Sequence, residues 1–107
     1  MLFLTYWELN ENMSAQERVQ IAQKITSGGL FPSKGVKIIR WDQTPDAWGI
    51  LLAEADSATD ISLAIDMWRA AGAGFFKMTK TAPVTPITEL MPAAAEMLKL
   101  LSAGKPN

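Results

Sequence analysis

The sequence predicts an α+β domain in the split βαβ, or ferredoxin-like, arrangement. Apolar runs typical of strands and segments with helical periodicity follow one another in the order βαββαβ, and a further helix comes last. Glycine, proline and asparagine separate these segments. With right-handed crossovers, this order gives a four-stranded antiparallel sheet in spatial order 4-1-3-2 with two helices on one face. We expect one domain over residues 1–103 and a flexible tail over 104–107.

The first half of the chain supplies a strand and a capped helix. Residues 2–9 are aromatic and apolar without a breaker, which favours a strand. Ser14 and Glu17 have the spacing of a capping box, in which the serine hydroxyl accepts the backbone N–H of the third following residue. The helix that they begin should end at Gly28, because glycine readily adopts the conformation that terminates helices.

A hairpin is predicted in the middle of the chain. Residues 36–42 and 47–55 are apolar runs, and Thr44-Pro45-Asp46 between them is typical of a turn because proline presets φ. So short a connection joins antiparallel neighbours.

The last three elements are a helix, an edge strand and a second helix. Ser57 or Thr59 should cap the first helix, whose apolar residues follow the i, i+3, i+4, i+7 pattern up to Gly72. The strand over 74–82 runs into Pro83, which has no N–H for a neighbouring strand, so we place it at a sheet edge. A helix is predicted from about residue 89 to 102.

Composition narrows the chemistry. The 107 residues include no cysteine and no histidine, which excludes disulfides, thiol nucleophiles, serine–histidine triads and standard zinc sites. Ten basic and eleven acidic residues give a net charge of -1 without a basic stripe, so we expect no nucleic-acid partner. No apolar stretch approaches a membrane span and no basic leader begins the chain. We expect a cytoplasmic protein without metal or cofactor.

The two central strands are apolar on both faces, whereas two helices can cover only one. Small Ala47, Gly49 and Ala53 suit the side that helices approach. The large residues should then lie on the uncovered face, and a second copy of the chain should cover them, sheet against sheet. The predicted dimer interface comprises Phe3, Trp7, Trp48, Ile50 and Leu52.

The segments MLFLTYWEL, GVKIIRWD, GILLAEA and FFKMTKTAPVTPITEL resemble a small bacterial family, the domain of unknown function 3303, over about residues 1–90. The resemblance implies a dimeric α+β barrel, in which two ferredoxin-like units pack their sheets face to face. That build is similar to those of cofactor-free monooxygenases, muconolactone isomerases, stress-responsive barrel proteins and haem-degrading enzymes. Fold alone transfers no activity.

Tyr6 and Glu8 are the candidate ligand-binding residues. They are two apart on the first strand, so they share a face, and we expect that face to be the helix side, beside small Ala47 and Gly49. The rival interpretation is a core tyrosine and a solvated glutamate. Four tryptophans similarly indicate either an aromatic pocket for a flat ligand or ordinary packing.

Three functions remain open. In the first, the chain is a dimeric accessory protein that binds a small apolar or aromatic ligand or a protein partner, without catalysis of its own. Alternatively, it is a cofactor-independent monooxygenase or isomerase of a small aromatic or enolisable substrate, with Tyr6 or Glu8 as proton acceptor. In the third, it is a structural or regulatory dimer whose outer helices carry the interaction. The absence of histidine, the usual base near neutral pH, weighs against the second.

Overall fold

The computed structural model describes residues 1–72 and 74–104 and has the predicted α+β topology. The sheet is antiparallel in the order β2-β3-β1-β4, which is the predicted order. Residues 105–107 of the predicted tail lie outside the described residues. The elements are β1 (Leu2–Leu9), α1 (Ala15–Ser27), β2 (Val36–Gln43), β3 (Trp48–Ala55), α2 (Ala58–Ala71), β4 (Phe76–Pro83) and α3 (Ile87–Ala103).

Helices α1 and α2 begin at serines that the sequence marks as caps. The Ser14 hydroxyl accepts the backbone N–H of Glu17, and the Ser57 hydroxyl accepts that of Asp60. Each bond satisfies one of the backbone donors that a helix leaves free in its first turn. Both helices pack on one face of the sheet, and the core between them and the strands includes Ile21, Ile25, Ile61, Ala64, Ile65 and Trp68.

Strand β4 lies at the sheet edge, as its proline predicts. Pro83 pairs with Phe3 of β1, and β4 is the outermost strand of the sheet that the described residues form. Beside this pair, the hydroxyls of Thr5 and Thr81 are 2.8 Å apart and hydrogen-bonded. Thr5 is buried, so the bond satisfies a polar group inside the core.

In the register of β1 and β3, a large residue of one strand lies opposite a glycine of the other. Trp7 pairs with Gly49, and both are buried on the side of the helices. A Cβ added to Gly49 would lie 2.5 Å from Trp7 Cζ2 and closer still to the backbone oxygen of Asp42. The indole therefore occupies the space that any other side chain at position 49 would need.

This register corrects the predicted faces of β1. Phe3 and Trp7, expected on the uncovered face, are buried beneath the helices, whereas Tyr6 and Glu8 lie on the opposite side. The prediction for β3 holds for Gly49 and Ala53, which are buried beneath the helices, whereas Ala47 precedes the strand. The prediction for β1 was wrong because it assumed that the large residues of β1 and β3 share one face. In the structure, Trp7 pairs with Gly49 instead.

Helix α3 stands apart from the packed body. None of its residues is buried, although it carries Leu90, Met97, Leu98 and Leu101. The radius of gyration is 18.7 Å, against about 13 Å for a compact domain of this length. The helix thus presents an apolar stripe that its own chain leaves uncovered.

Replacing Ala47 with glycine is expected to raise the free energy of unfolding by about 0.5 kcal/mol. Ala47 has a φ of +62°, where a Cβ is strained, and its carbonyl accepts the N–H of Leu9. Relief of that strain exceeds the entropy that glycine adds to the unfolded chain. Urea unfolding measures the change. Ala70→Gly, in the helical conformation of α2, should lower stability instead, by about 1 kcal/mol. Equal losses in both variants would contradict the strain at Ala47.

Candidate functional site

A cavity of about 240 Å³ lies between the sheet and the two packed helices. Residues of β1, β2, β3, α1, α2 and the entry to β4 line it. The predicted location of a ligand site, between sheet and helices, thus coincides with a cavity. Tyr6 and Glu8 do not line it, because they lie on the other face of the sheet.

Six aromatic rings form a continuous series around this cavity, which we call the aromatic arc. Successive ring centroids are 4.9 to 6.4 Å apart, and all five pairs are tilted or edge-to-face, as aromatic rings prefer. In order, the arc is Trp41, Phe31, Trp68, Phe75, Phe76 and Trp7.

Trp7 ends the arc with an unused hydrogen-bond donor. Its side chain is 6% exposed, and its Nε1–H is buried without an acceptor among the described residues. A buried donor left unpaired costs about 1–3 kcal/mol. Native structures seldom leave such a group unpaired, so this N–H needs an explanation.

The polar residues of the lining are exposed and its apolar residues are mostly buried or half-buried. Thr26, Asp42 and Gln43 are exposed, whereas Leu51 and Trp68 are buried. The Asp42 carboxylate accepts a hydrogen bond from Arg40 Nε. That bond, followed by the attraction of the carboxylate charge, raises the pKa of Arg40. Among the residues that the structure describes, no lysine or arginine side chain lines the cavity.

The other side of the sheet is a second candidate surface, which we call the open face. Its centre is apolar and its margin charged, and no described helix packs on it. The strand register assigns to it Leu2, Leu4, Tyr6, Glu8, Lys37, Arg40, Asp42, Trp48, Ile50, Leu52, Glu54, Met78, Lys80 and Ala82.

Of the five predicted interface residues, Trp48, Ile50 and Leu52 lie on the open face, and Phe3 and Trp7 do not. Tyr6 pairs with Ile50, and its ring centroid is 5.6 Å from that of Trp48. Burial, followed by the neighbouring Glu8 carboxylate, raises the pKa of the Tyr6 hydroxyl. A raised pKa keeps this phenol protonated, which makes it a poor proton acceptor.

Sequence reasoning did not select Phe31, Phe75 or Phe76 for a site, whereas Trp41 is one of the four tryptophans for which it left open an aromatic pocket or ordinary packing. Phe31 precedes Pro32 in a loop, and Phe75 and Phe76 follow Gly74. An aromatic residue beside a loop breaker is the signal that these positions offered, since loops at sheet ends often line pockets. Trp68, predicted as core, is buried and also belongs to the arc.

Comparison with known proteins places the fold in a family. The family model described as "Domain of unknown function (DUF3303)" matches residues 1–98, from β1 into the last third of α3. No curated protein matches the chain. Among the described residues, none of the helices is long and apolar enough to span a bilayer.

Proposed function

The chain belongs to the DUF3303 family, and we propose that it is a homodimeric accessory protein without catalysis of its own. The open face is the observation that carries the proposal. It holds large apolar side chains on both central strands, and Trp48 is 38% exposed. Contiguous exposed apolar patches mark interaction surfaces.

The charges of the open face favour a second copy as the occupant. Three cationic side chains and three carboxylates surround its apolar centre, so the face is neutral overall. A two-fold interface sets a surface against itself and therefore requires such a balance. The six residues are Lys37, Arg40, Lys80, Glu8, Asp42 and Glu54.

The area available also fits a dimer. Four strands about 4.8 Å apart and eight residues long give a face of about 500 Å². The exposed side of α3, about 25 Å long, adds about 250 Å². Together these approach the roughly 800 Å² that each partner buries in a stable complex. The family match includes most of α3, so the helix belongs to the shared domain.

Sedimentation equilibrium of the full chain at micromolar concentration tests the proposal. We expect a mass twice that of the 11.7 kDa chain. Because an apolar interface depends little on screening, the dimer should persist at 0.5 M salt. A monomer at both ionic strengths would contradict the proposed function.

A further inference from the structure

We propose that the cavity lined by the aromatic arc binds a neutral, planar aromatic molecule that carries a hydrogen-bond acceptor. The site lies on the opposite side of the sheet from the open face, so the inference does not depend on dimerisation. Three observations define the ligand: the shape of the lining, the charge of the lining and the unpaired hydrogen-bond donor of Trp7.

The shape follows from the rings. Apolar side chains make up nearly all of the lining, and the arc surrounds the cavity from Trp41 to Trp7. Aromatic walls favour stacked or edge-on contacts with another flat ring. At interior packing density, about 240 Å³ accommodates a bicyclic aromatic.

The charge follows from the side chains of the lining. Asp42 is the one ionisable residue among the described lining residues, and the strand register places its carboxylate on the open face, where it binds Arg40. A charged ligand would lose its hydration with no opposite charge in the described lining to pair with it. A neutral molecule avoids that cost.

The acceptor follows from Trp7. Its ring lines the cavity, and its buried Nε1–H lacks an acceptor among the described residues. Gly49 is the residue that lets the indole take this position. A ligand carbonyl oxygen or ring nitrogen would satisfy the donor, so molecules of the same shape with and without an acceptor should differ in affinity.

Coumarin and naphthalene make a matched pair of probes, because both are neutral and bicyclic and only coumarin has a carbonyl acceptor. Titrations of the ¹⁵N-labelled full chain follow the four tryptophan indole N–H signals, assigned by single Trp→Phe variants. We expect coumarin to shift the signals of Trp7 and Trp68. The signal of Trp48, on the open face, should stay unchanged and is the internal control.

Affinities then separate the cavity from the hydrogen bond. We expect coumarin to bind two- to tenfold more tightly than naphthalene, the range of one neutral hydrogen bond. Trp7→Phe should remove that difference by weakening coumarin alone, and Trp48→Phe should preserve it. Coumarin-3-carboxylate, an anion of similar shape, should bind more weakly than coumarin.

Each result decides the proposal. Unmoved Trp7 and Trp68 signals at saturating coumarin would overturn the site. Equal affinities of coumarin and naphthalene for the wild-type chain would overturn the acceptor, and tighter binding of the carboxylate would overturn the neutral class. Should Trp7→Phe not fold, Ala22→Leu, which narrows the cavity from α1, should weaken both probes at least tenfold. Unchanged affinity in that variant would likewise overturn the site.

Discussion

Replacing Gly49 with alanine is expected to lower the free energy of unfolding by about 3 kcal/mol or more. The new Cβ would overlap both the Trp7 indole and the backbone oxygen of Asp42 on the neighbouring strand. Neither can yield cheaply, because the indole is packed in the core and the oxygen belongs to the sheet. Overpacking of a rigid site costs 1–3 kcal/mol and occasionally more. Chemical denaturation with urea measures the loss.

Gly72→Ala is the matched control. A Cβ there would also overlap a neighbour, but the overlap is with Cδ1 and Cγ1 of one aliphatic side chain, Ile21, which can change its rotamer, and not with backbone or an indole ring. We expect a loss below about 1 kcal/mol. A Gly49→Ala variant as stable as Gly72→Ala would show that the pairing of Trp7 with Gly49 is not tight.

The order and extent of the elements could be predicted because their signals are local. The serine caps, the turn at Pro45 and the edge position of Pro83 each depend on a few neighbouring residues. Such signals act through the backbone conformation of one short segment, so the rest of the chain does not alter them.

The face of β1 could not be predicted in the same way. Both sides of this strand are apolar, so the alternation of polar and apolar residues does not show which side faces the core. A shift of one residue in the register would exchange the two faces. What decides the face is the contact of Trp7 with Gly49, more than forty residues away. Because the sequence does not reveal that contact, it predicts Tyr6 and Glu8 on the helix side, whereas they lie on the open face.

The aromatic arc could not be predicted either, because it also depends on contacts between residues far apart in the sequence. Phe31 comes from a loop, Trp41 from β2 and Trp68 from α2, and their mutual distances of 5.0 to 5.6 Å exist only in the folded chain. Composition indicated an aromatic pocket or a packed core. Trp68 is buried in the core, and its ring also lines the cavity.

The sheet separates the two proposed binding surfaces by one strand thickness. Alternate residues of β1 serve opposite sides, with Trp7 at the cavity and Tyr6 on the open face. Substitutions on one side should therefore leave the other intact. Trp7→Phe should remain dimeric, and a dimer-breaking variant should still bind coumarin.

The variant Ile50→Lys should weaken dimerisation at least 100-fold. Ile50 lies on the open face between Tyr6 and Asp42 and is half-buried in the single chain. In the proposed dimer, each copy would bury an ammonium against the partner's apolar centre. An uncompensated buried charge costs about 3 kcal/mol or more, which is about 100-fold in affinity. Sedimentation equilibrium across a concentration series gives the two dissociation constants.

Leu63→Lys supplies the control for this loss. Leu63 is exposed on α2, away from the open face, so the same apolar-to-lysine change there should leave the dissociation constant within twofold. Far-ultraviolet circular dichroism should be unchanged in both variants, because neither position 50 nor position 63 is buried in the single chain. If Ile50→Lys folds and remains as dimeric as Leu63→Lys, the sheet-to-sheet interface is wrong. The apolar stripe of α3 would then have to hold any dimer by itself, and Leu98→Glu, at a side chain 65% exposed in the single chain, should dissociate it.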